Sequence, residues 1–277
     1  MASSRSIDGE TQLAAVIGSP VRHSRSPVIM NAAFQAAGMN WVFTAFEVSE
    51  ADAPASVAAM RALGIRGLSV TMPLKAAVIP ALDSLSGDAE ALGAVNCIAR
   101  QGDALVGHNT DGAGLVRSLQ LDHGIDLADK RCVVLGAGGA ARSVVLALSK
   151  SGVRNVAVIN RSPERAEVAA SLAGPLGSTA TLEAVQDADV VINATSVGMG
   201  KDAALGESPV PVELLNSSQL IVDLVYKPLR TALLAQAQEV GATAVDGLGM
   251  LVHQAALAFE HWSSLTPDLE VMRRAAI

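Results

Sequence analysis

The segment Arg131-Cys-Val-Val-Leu135 runs straight into Gly136-Ala-Gly-Gly-Ala-Ala-Arg142 and then into an Ala/Val/Leu-rich stretch ending near Lys150. A strand that turns on glycines into a helix leaves a chain few architectures, because that turn is the opening of a parallel βαβ unit. The spacing Gly136-x-Gly138-x-x-Ala141 matches the dinucleotide-binding pattern, with Ala in the third position. Gly136 permits the tight turn, and Gly138 lets backbone N–H groups come close to a pyrophosphate. The helix N-terminus adds partial positive charge there. Ala141 is small enough for helix and strand to pack closely, and Gly139 is a further small residue in the turn. An ordinary glycine-rich turn of an α/β sheet is the competing explanation.

The same grammar of apolar run, Gly/Ser/Pro/Asn turn and Ala-rich segment recurs along the chain, and predicts a parallel or mostly parallel sheet covered by helices. Strands are expected at 13–17, 41–48, 67–71, 94–98, 104–106, 131–135, 155–159, 189–193, 220–224 and 243–245. Helices are expected from Pro27 with Ser26 as N-cap, over 51–63, in a short piece after Pro73, after Asp111 to about Leu121, after the 136–142 stretch to about Lys150, and over 250–263. The polar stretch 122–130 looks like a linker. With 277 residues, two domains are expected. The predicted fold is α/β. An open α/β substrate domain spans 1–111, a doubly wound Rossmann-type domain spans 112–246, and a C-terminal helix in 247–277 returns to the first domain.

Composition excludes other classes. Half the residues are hydrophobic and 17% are charged, which rules out disorder as the main description. Mean hydropathy is +0.37, yet the longest apolar stretch, 132–148, holds Arg142 and three glycines, short of the ~20 apolar residues a spanning helix needs. A formal charge of −7 with no basic run, and 3% aromatics, argue against nucleic acid. Cys97 and Cys132 form no spaced pair, so neither a metal site nor a disulfide is expected, and unpaired thiols suit a reducing cytoplasm. Residues 1–11 are polar, lack a signal-peptide core, and read as a frayed tail.

The end of the next strand bears on the nucleotide. An NAD site usually places Asp or Glu ~20 residues on, to accept the ribose 2′-hydroxyl. Asn160-Arg-Ser-Pro-Glu-Arg165 stands there instead. Arg161 can pair with a 2′-phosphate and lie flat on adenine, Ser162 offers a hydroxyl, and Arg165 follows one turn later. NADP is therefore favoured, although Ser162-Pro163-Glu164 also reads as a plain helix cap. Thr195 and Ser196 follow another strand end and could support the ribose or nicotinamide; turn capping explains them equally well.

Four clusters in the N-terminal half are more polar than a bland domain requires: Ser24-Arg-Ser26-Pro27, Thr71-Met-Pro-Leu-Lys75, Gly93-Ala-Val-Asn96 and Asn109-Thr-Asp111. A lysine in an apolar setting, held by an aspartate, can pass one proton while a nicotinamide moves a hydride. Lys75 fits that description, as does a solvated helix-start lysine.

With these clusters, Gly18-Ser-Pro-Val-Arg-His-Ser-Arg-Ser-Pro27, Asn193-Ala-Thr-Ser-Val-Gly-Met199, Asp223-Leu-Val-Tyr226 and Gly247-Leu-Gly-Met-Leu-Val-His-Gln254, the chain resembles the shikimate dehydrogenase family almost end to end. The resemblance implies NADPH-dependent reduction of 3-dehydroshikimate to shikimate. It makes Lys75 and Asp111 the catalytic pair. Ser24 and Ser26 would take the substrate carboxylate, with Tyr226 near the same region, and Thr71, Asn96 and Gln254 would meet ring hydroxyls. Gly136, Ala137, Gly138, Gly139, Ala140, Asn160, Arg161, Ser162, Arg165, Thr195, Ser196 and Gly247 would line the cofactor, and no metal is implied. The expected partner is a small molecule, with neither nucleic acid nor membrane, and a homodimer is left open. Quinate or an amino analogue as substrate, and an inactive nucleotide-sensing protein, are the competing readings. His23 and His253 are expected to be structural. Ser69, Met30 and Cys97 stand where the family commonly has Asn, His and Thr, and the first of these bears on substrate choice.

Overall fold

The computed structural model describes residues 7–200 and 207–277. They form two compact units. Unit 1 is the chain up to Thr110 together with Gln254–Ile277, and unit 2 is Asp111–His253. Residues 1–6 of the expected tail lie outside the described residues. The remainder of that tail is not frayed: the Thr11 hydroxyl donates to Asn40 Oδ1 at 3.0 Å, and Asn40 donates to Asp8.

Unit 1 carries a six-stranded sheet of β1 (Gln12–Gly18), β2 (Trp41–Glu47), β3 (Gly67–Val70), β4 (Ser84–Leu85), β5 (Cys97–Gln101) and β6 (Ala104–His108), in the order β2-β1-β3-β5-β6-β4. It is mostly parallel; β5 alone runs antiparallel, to both β3 and β6. Only two residues, Gly102 and Asp103, join β5 to β6, and so short a loop permits nothing but a hairpin. Strand β5 also begins three residues later than expected. Gly93 at φ +58 ends helix α3 (Gly87–Leu92), and the Val95 amide then donates to the Lys75 carbonyl rather than into the ladder. Helix α1 (Ser26–Ala36) starts one residue early: Arg25 is the N-cap, and the Ser24 hydroxyl accepts the Ser26 amide at 3.2 Å. Residues 74–78 after Pro73 are turns, not a helix.

Helix α2 (Ala53–Ala62) covers one face of this sheet, where Val57 and Met60 pack on Ile17, Leu68 and Ile98. Part of the packing in unit 1 is aromatic. Phe34 of α1 lies tilted against Phe259 at 5.6 Å, and Phe43 stacks on Trp262 at 5.9 Å; both partners belong to α8 (Leu248–Ser263). The Trp262 indole donates to the Ile98 carbonyl at 3.0 Å. A Cβ at Gly67 would stand 2.3 Å from that ring, so β3 needs glycine there. The chain then turns at Ser264 and re-forms as α9 (Leu269–Ala276), N-capped by Asp268. The single expected C-terminal helix is therefore two. Arg25 donates to the carbonyls of Ala275 and Ala276, fixing α9 beside α1.

Unit 2 is wholly parallel. Its strands are β7 (Arg131–Leu135), β8 (Asn155–Ile159), β9 (Gly177–Thr179), β10 (Val190–Asn193), β11 (Leu220–Asp223) and β12 (Thr243–Val245), ordered β12-β11-β10-β7-β8-β9. The winding reverses between β7 and β10, which makes their carboxyl ends a topological switch point. Cys132 and Val134 face α4 (Asp111–His123), α5 (Gly139–Ser149) and α6 (Pro163–Ser171), whereas Val133 and Leu135 face α7 (Ala232–Glu239). Both faces are covered, hence the nearly continuous apolar strands. The supposed linker belongs to this unit: α4 runs on to His123, Gly124 at φ +64 ends it, and Leu127 is buried in the core. The opening of α8 also lies here, held by the ring of His253, which pairs with Asp122 at 3.1 Å. Among the described residues, no helix is long and apolar enough to cross a membrane.

Replacing Gly67 by alanine should cost about 1–3 kcal/mol through overpacking against the indole. Urea unfolding measures this, and an unchanged midpoint would mean that Trp262 is free to withdraw.

Candidate active site

In unit 2 the turn after β7 has the geometry its glycines foretell. Gly136 lies at φ +104, and a Cβ on it would stand 3.1 Å from the Ala194 carbonyl oxygen. Two reasons, backbone angle and close approach, therefore require glycine. Gly138 is the N-cap of α5 and makes no side-chain cap. A Cβ on Gly138 or Gly139 would meet nothing within 4 Å, so nothing inside the chain demands glycine at either position. They leave an open cradle at a helix N-terminus, which suits a pyrophosphate. Ala137, Gly138, Gly139, Arg142, Glu164 and Arg165 line a concavity of about 410 Å³ at this place. Ala141 is fully buried beneath it, and Ala140 is half-buried.

The β8 end sits beside this turn, since the Gly136 amide donates to the Ile159 carbonyl at 2.8 Å. Arg161 and Arg165 are both exposed. Asn160 turns inward along the chain, its amide donating to the Ser162 carbonyl. Ser162 is the N-cap of α6: its hydroxyl accepts the Arg165 amide at 3.4 Å and donates to Glu164 Oε2 at 2.8 Å. Here the capping explanation holds in this conformation, and the hydroxyl expected to meet a ligand is already engaged. Glu164 escapes a reading of the sequence because its spacing makes it part of that cap.

At the β10 end Thr195 is engaged within a tight corner. Its hydroxyl donates to Asn193 Oδ1 at 2.7 Å and accepts the Val197 amide at 3.1 Å. Ser196 remains exposed. Behind it lies a buried polar network. Fully buried Asp223 accepts from Asn193 Nδ2, from the Val225 amide and from the Thr231 hydroxyl, all within 3.0 Å. Burial pushes the Asp223 carboxyl above its usual range. Sequence reasoning missed this network, because Asn193 and Asp223 close two strands that are distant in sequence. Gly247 also has a packing reason: its Cβ would stand 2.3 Å from the Leu224 carbonyl oxygen. Tyr226 is exposed on the segment after β11.

Unit 1 gathers most of the other candidates at strand ends. Thr71 follows β3, and Gly18 leaves room for its methyl, which a Cβ would strike. Lys75 is half-buried between Leu74 and Val78, side chains removed from solvent. Ser24 and Ser26 sit at the N-terminus of α1, half-buried. Asn96 is largely buried. It is 5% exposed, its Oδ1 accepts the Thr110 amide at 2.8 Å and its Nδ2 donates to the Thr110 hydroxyl at 3.0 Å. That hydroxyl lies 3.1 Å from the Gln254 carbonyl, and Asn109 donates to the Ala94 carbonyl. Asn96 thus fastens the segment that leads to Asp111, the first residue of α4. His23 is exposed rather than packed, while His253 is buried, as a structural residue should be. Met30 and Cys97 are core residues; burial pushes the Cys97 thiol up to about 12. Among the described residues no group of acidic, Cys and His side chains could hold a metal.

Comparison with known proteins finds similar chains along nearly the whole length. Residues 16–98 match the shikimate dehydrogenase substrate binding domain, 118–228 match shikimate / quinate 5-dehydrogenase, and 247–277 match the shikimate 5′-dehydrogenase C-terminal domain. A protein of Moorella thermoacetica named shikimate dehydrogenase (NADP(+)) is 44% identical over 97% of this chain and 93% of its own. One of the same name from Thermococcus kodakarensis is 45% identical over 98% of this chain and 97% of its own. The crystal structure of shikimate 5-dehydrogenase from Thermus thermophilus in complex with NADP(H) and shikimate superposes with a TM-score of 0.88. It has 38% identity and covers 96% of this chain and 98% of that one.

All three partners of Asp223 donate, so Asp223→Asn loses one acceptor oxygen and turns the Thr231 hydroxyl, which already accepts the Leu234 amide, away from its donor role; this should cost about 1–3 kcal/mol at pH 7. Because the folded carboxyl binds its proton more readily than the unfolded one, its titration favours the fold below the ordinary value and loses that contribution as pH rises through the raised value. Denaturation of both proteins between pH 3 and 8 checks the loss and its sign; equal stability at pH 7 would remove the network from the account.

Proposed function

The chain belongs to the shikimate dehydrogenase family, and from that premise we propose that it is an NADP-dependent oxidoreductase interconverting 3-dehydroshikimate and shikimate. The observation that carries this reading is near-full-length similarity to enzymes of that name, joined to an open glycine cradle on a helix N-terminus. Gly136, Gly138 and Gly139 would hold the pyrophosphate, with Arg161 and Arg165 beside the adenosine end. The exposed guanidinium groups can pair with a 2′-phosphate. NADPH, when bound, supplies the hydride.

Lys75 is our candidate for the proton. An ammonium group held among apolar neighbours can donate to a ketone oxygen as the carbon is reduced, and take the proton back in reverse. Asp111 is its proposed partner, and Asn96 holds Thr110, the residue before it. Ser24 and Ser26 are assigned to the substrate carboxylate. Their place at the start of α1 supports this, because unsatisfied amides and the helix dipole favour an anion there. The Ser24 oxygen already accepts the Ser26 amide, so its proton is available to donate. Thr71, Asn96 and Gln254 are the proposed partners of ring hydroxyls, and Tyr226 remains a proposed substrate contact. A polyhydroxy acid is discriminated best by such neutral donors and acceptors, since a wrong substrate leaves them unpaired. Two free, buried thiols, Cys97 and Cys132, support a reducing cytoplasm as its location.

Lys75→Ala should lower kcat by about 10²–10⁴-fold with a much smaller change in KM for shikimate. Near-normal turnover would take Lys75 out of the mechanism. Shikimate or quinate assayed with NADP or NAD, by nicotinamide absorbance, checks the whole reading. Shikimate with NADP is expected to be fastest, quinate in first place would move the substrate, and no turnover in any combination would favour a nucleotide-sensing protein.

A further inference from the structure

The concavity beside the glycine turn holds a carboxylate as well as arginines. Glu164 lines it together with Arg142 and Arg165. Its Oε2 accepts the Ser162 hydroxyl at 2.8 Å, so the single hydroxyl proton of Ser162 points to Glu164. That hydrogen bond holds the Glu164 carboxyl below its usual range, and the group is an anion at neutral pH. A 2′-phosphate arriving here gains from Arg161 and Arg165 but meets a like charge and a hydroxyl already engaged. A plain ribose 2′-hydroxyl is a donor, and the carboxylate is an acceptor for it.

Resting on the dinucleotide reading of unit 2, we propose that Glu164 sets how strongly the site prefers a 2′-phosphorylated dinucleotide over an unphosphorylated one. It opposes the two arginines toward the phosphate and accepts the free 2′-hydroxyl. The protein then uses both dinucleotides, with a narrower preference for NADP than its arginines alone would produce. A purely structural Glu164, placed in the first turn of α6 where an acid favours the helix dipole, would affect stability and leave that preference alone.

The test compares the wild type with Glu164→Gln and Glu164→Ala. Calorimetry measures binding of adenosine 2′,5′-bisphosphate and of adenosine 5′-monophosphate, at low salt and at high salt. Kinetics gives kcat/KM for NADP and NAD with shikimate. In both variants the bisphosphate should bind about 3–10-fold tighter and the monophosphate about twofold weaker, a size suited to one exposed charge. The NADP-to-NAD ratio should rise about tenfold, and the gain for the bisphosphate should shrink in high salt. A ratio unchanged within about twofold, in variants that bind both ligands, would overturn the assignment of Glu164. A wild type that binds neither adenosine ligand would instead overturn the placement of the cofactor.

Discussion

Between β7 and β10 the backbone of Gly136 and the carbonyl of Ala194 come so close that a single added carbon would touch the oxygen at 3.1 Å. Much of unit 2 follows from that approach. It sets where the chain leaves the sheet, and so where α5 begins and where its free amides point. It also requires β10 to end in a rigid corner, which the Asn193–Asp223–Thr231 network supplies from behind. A buried carboxylate with three donors is costly to form and tolerates little displacement. The open cradle at Gly138 and Gly139 is therefore backed by a buried, hydrogen-bonded corner.

What could be read from the sequence was what depends on local spacing. The glycine turn, the strands of unit 2 and the arginines after β8 are all specified by residues within a few positions of one another. The failures share a cause as well. Cys97 to Gln101 runs antiparallel because of a two-residue loop whose effect appears only once β6 has a partner. The turns around Lys75 pass for a helix, since Leu74 and Val78 have helical spacing, but the Lys75 carbonyl is taken by Val95. Asp122 to Lys130 reads as a linker by polarity, although Leu127 anchors it in the core.

Candidate residues divide in the same way. Among the described residues, Arg161, Arg165, Ser24 and Ser26 meet no long-range partner that would absorb them, and they remain suited to a ligand. Thr195 and Asn96 are polar side chains whose partners lie on other segments or within a tight corner. Their place in a motif signals importance without saying whether a ligand or the fold receives the hydrogen bonds. Asn96 shows how the two roles connect, since it fastens Thr110, the residue before Asp111.

Trp262 and Phe259, which complete the aromatic packing of unit 1, lie near the end of the chain, whereas the strands they cover lie near its beginning. Unit 2 is one continuous stretch. During synthesis, then, the aromatic packing of the early strands waits for residues made after all of unit 2, and domains generally fold as units. A nascent chain halted on the ribosome before Trp262 emerges would expose the early strands to proteases while the later, uninterrupted unit already resists them.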